Sequence, residues 1–249
     1  MNNDVTILNN LDPNQIIYRF MGLDKFIYLI CRKKLWFTRG DKLGDEHEGS
    51  LPKKLVDARN ERLDKEVLQN PIKFSKIQEI KRKFENGSRL YRQTRFVSCW
   101  TRNDCESLLM WKIYTPNSTG VAIKSTVKRL SECFIRQPND FFERKYMTIS
   151  ETIYEDYIDT DQLELEQIFY KRHAYAYENE IRAVASFLST IETPDKMETD
   201  VDLDVLIDKI YVLSSQDSNI LKGLVENLIC KYNLSKEVLI PRFDIKAYF

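Results

Sequence analysis

The chain has 249 residues, of which 43% are hydrophobic and 12% aromatic, and its formal net charge is zero. This composition excludes a disordered protein, and the length allows one large domain with a substantial core. Two histidines exclude a multi-histidine metal site, and five cysteines without a Cys-x-x-Cys pair argue against a four-cysteine zinc site or a disulfide framework.

Predicted strands and helices alternate irregularly along the first half of the chain. Residue spacing and turn residues predict, in chain order, a loose N-terminus over 1–15, a strand at 16–20, a helix at 23–33, a strand at 35–38, a polar loop at 40–49, helices at 53–69 and 72–86, and a strand at 95–101. The two charge-rich helices are interpreted as an inserted helical hairpin of about residues 50–92.

The second half continues the same mixture of strands and helices. The predictions are a helix at 106–114, a strand at 121–124, a helix at 125–132, a strand at 147–154, a helix at 163–172, a strand that carries Glu178 and Glu180, a strand at 209–213, a helix at 219–232 and a strand at 238–240. Strands separated by helices of mixed length favour one α+β domain over 1–249, with a mostly antiparallel sheet and flanking helices around a core at 16–245.

Charge is distributed unevenly along the chain. Residues 53–95 hold 13 Lys or Arg against six Asp or Glu, a net of +7, whereas residues 140–209 hold seven against 18, a net of −11. A basic region of this kind indicates a surface that binds nucleic acid or phosphate, or a charged helical insertion that only keeps the chain soluble. Both interpretations stay open at this point.

The most informative motif is the stretch from Tyr177 to Phe187, in which apolar residues alternate with charged ones. If the whole stretch is a strand, Glu178, Glu180 and Arg182 share one face, about 7 Å apart along the strand. A carboxylate pair in a cleft can stabilise a sugar cation or move protons. The alternative is a solvated strand face with one cross-strand ion pair.

Several blocks, in this order, resemble a widespread microbial family, the domain of unknown function family 2971. The blocks are Tyr18-Arg19-Phe20, the strand at Trp36-Phe37, Phe96 to Thr101, Leu109-Met110-Trp111 with Tyr114, Thr119 to Val121, Lys171, Tyr175 to Arg182, and at the C-terminus an Ile-Tyr-Val-Leu strand, a helix and a Val-Leu-Ile strand. The resemblance covers roughly residues 16–245. It carries no function of its own.

A more distant resemblance is to ADP-ribosyltransferases of the arginine-serine-glutamate type, on Arg19, Phe96-x-Ser98 and Glu178-x-Glu180. It implies an ADP-ribosyltransferase-like fold and an enzyme that consumes NAD. Glu180 would stabilise the ribose cation, and Glu178 would orient or deprotonate the acceptor. The remaining roles fall on Arg19 for the NAD phosphates or ribose, Ser98 for hydrogen bonds within the site, and Tyr175 or Tyr177 for packing on the nicotinamide.

The same residues can also be interpreted as purely structural, without a role in catalysis or binding. Arg19 would pair with Glu180 as a structural bridge, Ser98 would be a small residue in a tight strand, and the block of Met110, Trp111 and Tyr114 would belong to the core.

The expected activity is ADP-ribosyl transfer by a toxin or phage-defence effector that modifies nucleic acid or protein. One alternative is a non-catalytic nucleotide or nucleic-acid binding module. Another is a metal-dependent nuclease-like enzyme that uses Glu178, Glu180 and the acids at 45–48. The absence of a long apolar run and of a signal peptide predicts a cytoplasmic protein without a membrane partner.

Overall fold

The computed structural model describes residues 5–45, 47–50, 53–115, 117, 119–135, 146–155, 166–187 and 193–244. The strands are β1 Val5–Ile7, β2 Ile16–Gly22, β3 Lys34–Arg39, β4 Arg95–Thr101, β5 Gly120–Thr126, β6 Tyr146–Glu151, β7 Ile153–Tyr154, β8 Tyr170–Lys171, β9 Glu180–Ser186, β10 Lys196–Asp200, β11 Lys209–Leu213 and β12 Glu237–Leu239. The α-helices are α1 Leu23–Arg32, α2 Lys53–Gln69, α3 Phe74–Gln93, α4 Leu108–Tyr114, α5 Val127–Glu132, α6 Leu203–Leu206 and α7 Ser218–Lys231.

Ten of these strands form one sheet in the described part of the chain, and eight of them follow the order β1-β6-β9-β4-β2-β5-β11-β12. Outside this order, β3 pairs with β4 and β10 pairs with β3. Neighbouring strands run antiparallel, except for the parallel pairs β1 with β6 and β11 with β12. Helices cover both faces. The predicted α+β architecture, a mostly antiparallel sheet with flanking helices, is confirmed.

Strand alternation divides the core between the two faces of the sheet. Odd-numbered residues of β9, such as Ile181 and Ala183, lie in the largest hydrophobic cluster together with the buried sides of α1, α5 and α7. The opposite face carries two smaller clusters, one around Met110 and Trp111 of α4 and one around Phe169. A sheet that is covered on both faces explains why its central strands are apolar at consecutive positions.

One strand changes partner along its length. The first half of β4 pairs with β3, through Thr38 opposite Val97, whereas its last residue, Thr101, pairs with Tyr18 of β2. Because β2 and β3 both approach the same edge of β4 and are joined through α1, they diverge between these two pairings. This divergence, here called the sheet fork, opens the sheet at its centre and positions the candidate site.

Helices α2 and α3 follow each other between β3 and β4, where the charged hairpin is predicted. The prediction that the second helix ends at Asn86-Gly87 is wrong, because α3 continues to Gln93. A glycine inside a helix costs about 1 kcal/mol relative to alanine. Contacts of Tyr91, in the last turns of α3, offset this cost. Its ring packs against the cluster around Phe169, and its hydroxyl accepts a hydrogen bond from the Ile168 amide at 3.1 Å.

Three further predictions differ from the structure. The N-terminal segment contains β1, which pairs with β6, and the strand predicted at 147–154 is divided into β6 and β7. In place of the helix predicted at 163–172, of which 163–165 lie outside the described residues, a 3-10 turn at Gln167–Phe169 leads into β8. The turn buries both Ile168 and Phe169 completely, whereas adjacent residues of a regular surface helix point in different directions and one of them would be partly exposed.

The described helices include none that is both long and apolar enough to span a membrane.

Candidate functional site

A cavity of about 190 Å³ lies in the sheet fork, between β2, β3 and β4. Helix α1 contributes Lys25 and Tyr28 to its wall, and α4 contributes Met110 and Tyr114. Six aromatic side chains line it, namely Tyr18, Phe20, Tyr28, Trp36, Trp100 and Tyr114. An aromatic cavity with a few polar groups is the usual form of a small-molecule site.

Arg19 of β2 is one of three cationic side chains in the wall of this cavity, together with Lys25 and Lys34. Its Nη1 donates to Ser98 Oγ at 2.7 Å, its Nη2 donates to the Trp36 carbonyl oxygen at 3.2 Å, and its Cζ lies 5.9 Å from the Trp100 ring centroid. These partners are neutral, and no carboxylate of the described residues pairs with Arg19. Burial lowers the pKa of Arg19 to about 10, so the guanidinium is still charged at neutral pH. The cavity wall therefore holds a positive charge, that of Arg19, which has no direct carboxylate partner among the described residues.

Ser98 holds Arg19 in place. It is fully buried on β4, and its Oγ accepts a second hydrogen bond from Trp100 Nε1 at 3.2 Å. The Ser98 side chain thus orients Arg19 and Trp100, which line the cavity. The observed role is that of a positioning residue.

Glu178 and Glu180 also line the cavity, and they belong to a buried charged cluster, defined as Glu48, Lys171, Glu178, Glu180 and Arg182. Lys171 Nζ lies 3.0 Å from Glu48 Oε1, 2.8 Å from Glu178 Oε2 and 3.4 Å from Glu180 Oε2. Arg182 Nη2 lies 3.1 Å from Glu48 Oε2 and 2.9 Å from Glu180 Oε2. Three carboxylates against two cations leave a formal charge of −1. Such groups in a cavity wall mark a functional-site candidate.

Backbone geometry brings Glu178 and Glu180 together in a way that differs from the prediction. Glu178 ends a 3-10 turn, His173–Glu178, and Asn179 adopts a left-handed conformation with φ of 47° before β9 begins at Glu180. The expectation that both carboxylates share one strand face is therefore wrong, because Lys171 joins them instead. All seven residues of β9 are buried, so the solvated strand face is wrong as well.

Electrostatics within the cluster keep Glu180 ionised. Burial would raise the pKa of Glu180, but Arg182 and Lys171 outweigh this effect and hold the pKa below its ordinary value. Burial, followed by the nearby Glu180 charge, raises the pKa of the Cys99 thiol well above its ordinary range. Burial and the Glu178 charge likewise raise the pKa of Tyr114. Thiol and phenol therefore stay protonated beside these carboxylates.

The side chains of Arg19 and Glu180 project from opposite faces of the sheet. Arg19 lies opposite Ile123 of β5, on the side of the largest hydrophobic cluster, whereas Glu180 lies opposite Thr101 on the other side. Both nevertheless line the cavity, because the sheet fork opens between them. The structural bridge between Arg19 and Glu180 is not formed. The structure brings Arg19 and Ser98 into contact and places Glu180 across the same cavity.

Tyr175 and Tyr177 are not among the residues that line the cavity. The Lys171 ammonium lies 4.8 Å from the Tyr175 ring centroid, and the Tyr177 side chain is 43% exposed. Their predicted packing against a bound ring would need a ligand outside this cavity. The expectation of an all-core block is confirmed for Trp111, which is fully buried, and corrected for Tyr114, which lines the cavity.

Sequence reasoning missed the aromatic pair formed by Tyr28 and Trp36. The two ring centroids lie 5.0 Å apart, and Glu198 accepts hydrogen bonds from Tyr28 Oη and from Trp36 Nε1, both at 2.7 Å. Trp36 and Glu198 are register partners in β3 and β10, and β10 was not predicted. The available signal was the alternation of β3, which buries Leu35 and Phe37 and leaves Trp36 on the other face.

The acidic loop before α2 contributes ion pairs. Asp45 accepts two hydrogen bonds from Arg172, both at 2.9 Å, and Glu48 reaches Lys171 and Arg182. Among the residues that the structure describes, no group of three or more His, Cys, Asp or Glu is arranged to hold a metal ion. Lys171 Nζ occupies the point where Glu48, Glu178 and Glu180 converge.

Replacing Ser98 with alanine is expected to destabilise the fold by about 1–3 kcal/mol, because it leaves Arg19 Nη1 and Trp100 Nε1 without their shared acceptor. Urea unfolding at pH 7 measures the change. The control is Ser131→Ala, which removes an exposed hydroxyl that donates to the Lys128 carbonyl. Equal small effects of the two substitutions would contradict a positioning role for Ser98.

Comparison with protein-family models, with curated proteins and with solved structures finds no match for this chain, so both resemblances stay predictions.

Proposed function

We propose that this chain is an ADP-ribosyltransferase-like enzyme that consumes NAD in the sheet-fork cavity. One observation carries the proposal: the two cavity walls hold opposite excess charges. Arg19 has no carboxylate partner in the described chain, and the charged cluster holds one carboxylate more than its two cations balance. A ligand with an anionic part and a part that becomes cationic during reaction would complement both walls.

NAD has these two properties. Its pyrophosphate is anionic and suits the fixed donor fork of an arginine. When the nicotinamide–ribose bond breaks, the bonding electron pair leaves with the nicotinamide and the ribose gains oxocarbenium character. The Glu180 carboxylate would stabilise that positive charge, and Glu178 would accept the proton that the acceptor loses as it attacks the ribose.

Cavity size limits how NAD would fit. The volume of about 190 Å³ is smaller than the roughly 300–1,000 Å³ of sites that enclose a drug-sized ligand. In the proposal, the cavity encloses the nicotinamide and its ribose, and the remaining nucleotide lies at the rim. Exposed Lys25 lines that rim and offers a second positive charge for the phosphates.

Nicotinamide release from NAD, measured beside direct NAD binding with and without RNA, DNA, cell lysate and chelator, tests the proposal. Arg19→Gln is expected to weaken NAD binding by about tenfold or more, because a hydrogen bond to a charged group contributes about 1.5–3 kcal/mol. Arg62→Gln, an exposed arginine of α2, is the matched control. Neither binding nor release under any of these conditions would overturn the proposal.

A non-catalytic nucleotide-binding module is the second candidate. It is favoured by the burial of the charged cluster, in which both cations already contact the Glu180 carboxylate. This candidate predicts NAD binding without nicotinamide release, in the parent protein as well as in Glu180→Gln. The nuclease alternative would instead require activity that a chelator abolishes.

A further inference from the structure

A second cavity, of about 290 Å³, lies at the base of the α2–α3 hairpin, away from the sheet fork. Its wall combines Val56 and Arg59 of α2 with Phe84, Ser88, Arg89 and Arg92 of α3, and it also includes Asp41 and Glu85. We propose that this cavity binds a phosphate group of single-stranded nucleic acid. The site does not depend on the NAD chemistry proposed above.

The three arginines of this cavity form no ion pair within the part of the chain that the structure describes. None of Arg59, Arg89 and Arg92 takes part in an ion pair with another described residue, and the Nε atoms of Arg59 and Arg92 are buried without a hydrogen-bond partner. Asp41 is already bound by Arg39, with Nε 2.6 Å from Oδ1. Glu85 is then the one other acid of the described wall. Arginine does not lose its proton, so the cavity has an excess of positive charge and of unused donors.

An oxyanion would satisfy these donors. Arginine forks bind phosphate oxygens in pairs, and Arg89 and Arg92 lie three residues apart on α3, so they project from the same side of the helix. Arg59 approaches from the facing helix. Donors from two helices around one cavity can surround a phosphate group, which a single surface lysine cannot do.

An aromatic side chain beside the arginines favours a nucleotide over a bare anion. The Arg59 Cζ lies 4.4 Å from the Phe84 ring centroid, and the Phe84 side chain is 49% exposed. An exposed aromatic ring next to a phosphate-binding group lets an unpaired base stack, typically contributing about 1–3 kcal/mol. Stacking of this kind requires a base that is not buried in a duplex.

Charge over the whole hairpin favours a polymer over a free nucleotide. Residues 53–93 contain 12 Lys or Arg against six Asp or Glu, a net of +6. A field of this sign attracts successive phosphates of a strand beyond the one in the cavity. RNA and DNA share this phosphate and base chemistry, and both are included in the test.

Fluorescence anisotropy with short labelled single-stranded RNA and DNA, at several salt concentrations, tests the proposal. The combined variant Arg59→Gln, Arg89→Gln, Arg92→Gln is expected to weaken binding by about 100-fold and to lower the slope of log affinity against log salt by about 2. Phe84→Leu is expected to weaken binding by about tenfold and to leave the salt slope unchanged. Circular dichroism melting confirms that each variant is folded, and Phe84→Leu with Arg89→Gln replaces the triple variant if that one unfolds.

The matched control, Arg62→Gln, Lys76→Gln, Arg82→Gln, removes the same charge from exposed positions of the hairpin that do not line the cavity. It is expected to weaken binding less than about tenfold. Equal losses in the two triple variants would overturn the site and leave only a general basic surface. Absence of oligonucleotide binding at low salt would overturn it, as would pyrophosphate or a nucleoside diphosphate that binds as tightly as the oligonucleotide.

Discussion

Replacing Glu180 with glutamine is expected to lower the rate of nicotinamide release from NAD by about 10²–10³-fold, the usual loss when one preorganised electrostatic group is removed. The substitution keeps the shape of the side chain and removes the charge that would face the ribose cation. Because the effect belongs to the transition state, kcat is expected to fall while the affinity for NAD changes little. Steady-state nicotinamide release beside equilibrium NAD binding measures both.

The charge balance of the cluster makes this variant suitable. With Glu180 neutral, the carboxylates of Glu48 and Glu178 balance the charges of Lys171 and Arg182, and the glutamine carbonyl still accepts a hydrogen bond from Arg182. The fold is therefore expected to survive. Glu178→Gln is the companion variant, which is expected to lose transfer to the acceptor more than it loses nicotinamide release. Unchanged release in Glu180→Gln would exclude the proposed role of this carboxylate.

Replacing Lys171 with methionine is expected to destabilise the protein by about 3–5 kcal/mol, because it leaves the buried Glu178 carboxylate without a cation and leaves Arg182 alone to balance Glu48 and Glu180. The Lys171 side chain is 7% exposed and its ammonium contacts Glu48, Glu178 and Glu180. Methionine retains most of the volume, so lost packing contributes little. Urea unfolding at pH 7 measures the loss. The control is Lys83→Met, which breaks an exposed pair with Glu79 and is expected to cost less than about 1 kcal/mol.

The pH dependence separates lost charge pairing from lost packing. The pKa of Glu180 is held below the ordinary value of 4.5 in the folded protein, so its ionisation contributes stability above that pH. This contribution is lost as the pH falls through the lowered folded pKa. Without Lys171 the contribution is smaller, and the difference between the variant and the parent is expected to shrink as the pH falls from about 5 to about 3, through the lowered folded pKa. A difference that stays constant over this range would contradict the electrostatic explanation.

The local sequence pattern was sufficient to predict the ends of strands in which most residues are buried. The strands β4 and β11 begin and end at the predicted residues, 95–101 and 209–213, because each is a short apolar run between polar residues. The sequence pattern was insufficient to predict an element where contacts with distant residues outweigh the local secondary-structure propensity. Helix α3 passes Gly87 because Tyr91 is anchored beyond it, and the segment before Lys171 abandons its helical spacing to bury Ile168 and Phe169.

The sequence identified several residues of the candidate site, but it did not show which contacts each residue makes. Arg19, Ser98, Glu178 and Glu180 were identified as candidates, and the structure places Arg19 and Glu180 at one cavity with Ser98 behind Arg19. Glu48 was grouped with Glu178 and Glu180 only in the nuclease alternative, as a metal ligand, and Lys171 was given no role in the site. The contacts of Glu48 with Lys171 and of Trp36 with Glu198 were not predicted, because each joins segments far apart in the chain. Spacing within one segment carries no information on such pairs.

The sequence by itself determined the α+β class, the main strands and helices, the basic hairpin region and the short list of candidate polar residues. These properties depend on periodicity, turn residues and charge, which neighbouring residues report directly. Only the tertiary structure decided that β4 divides its edge between β2 and β3, that Arg19 faces neutral partners, and that two cations hold three buried carboxylates. Strand pairing and ion pairing are contacts between distant parts of the chain, and their geometry is set by the packing of the whole sheet.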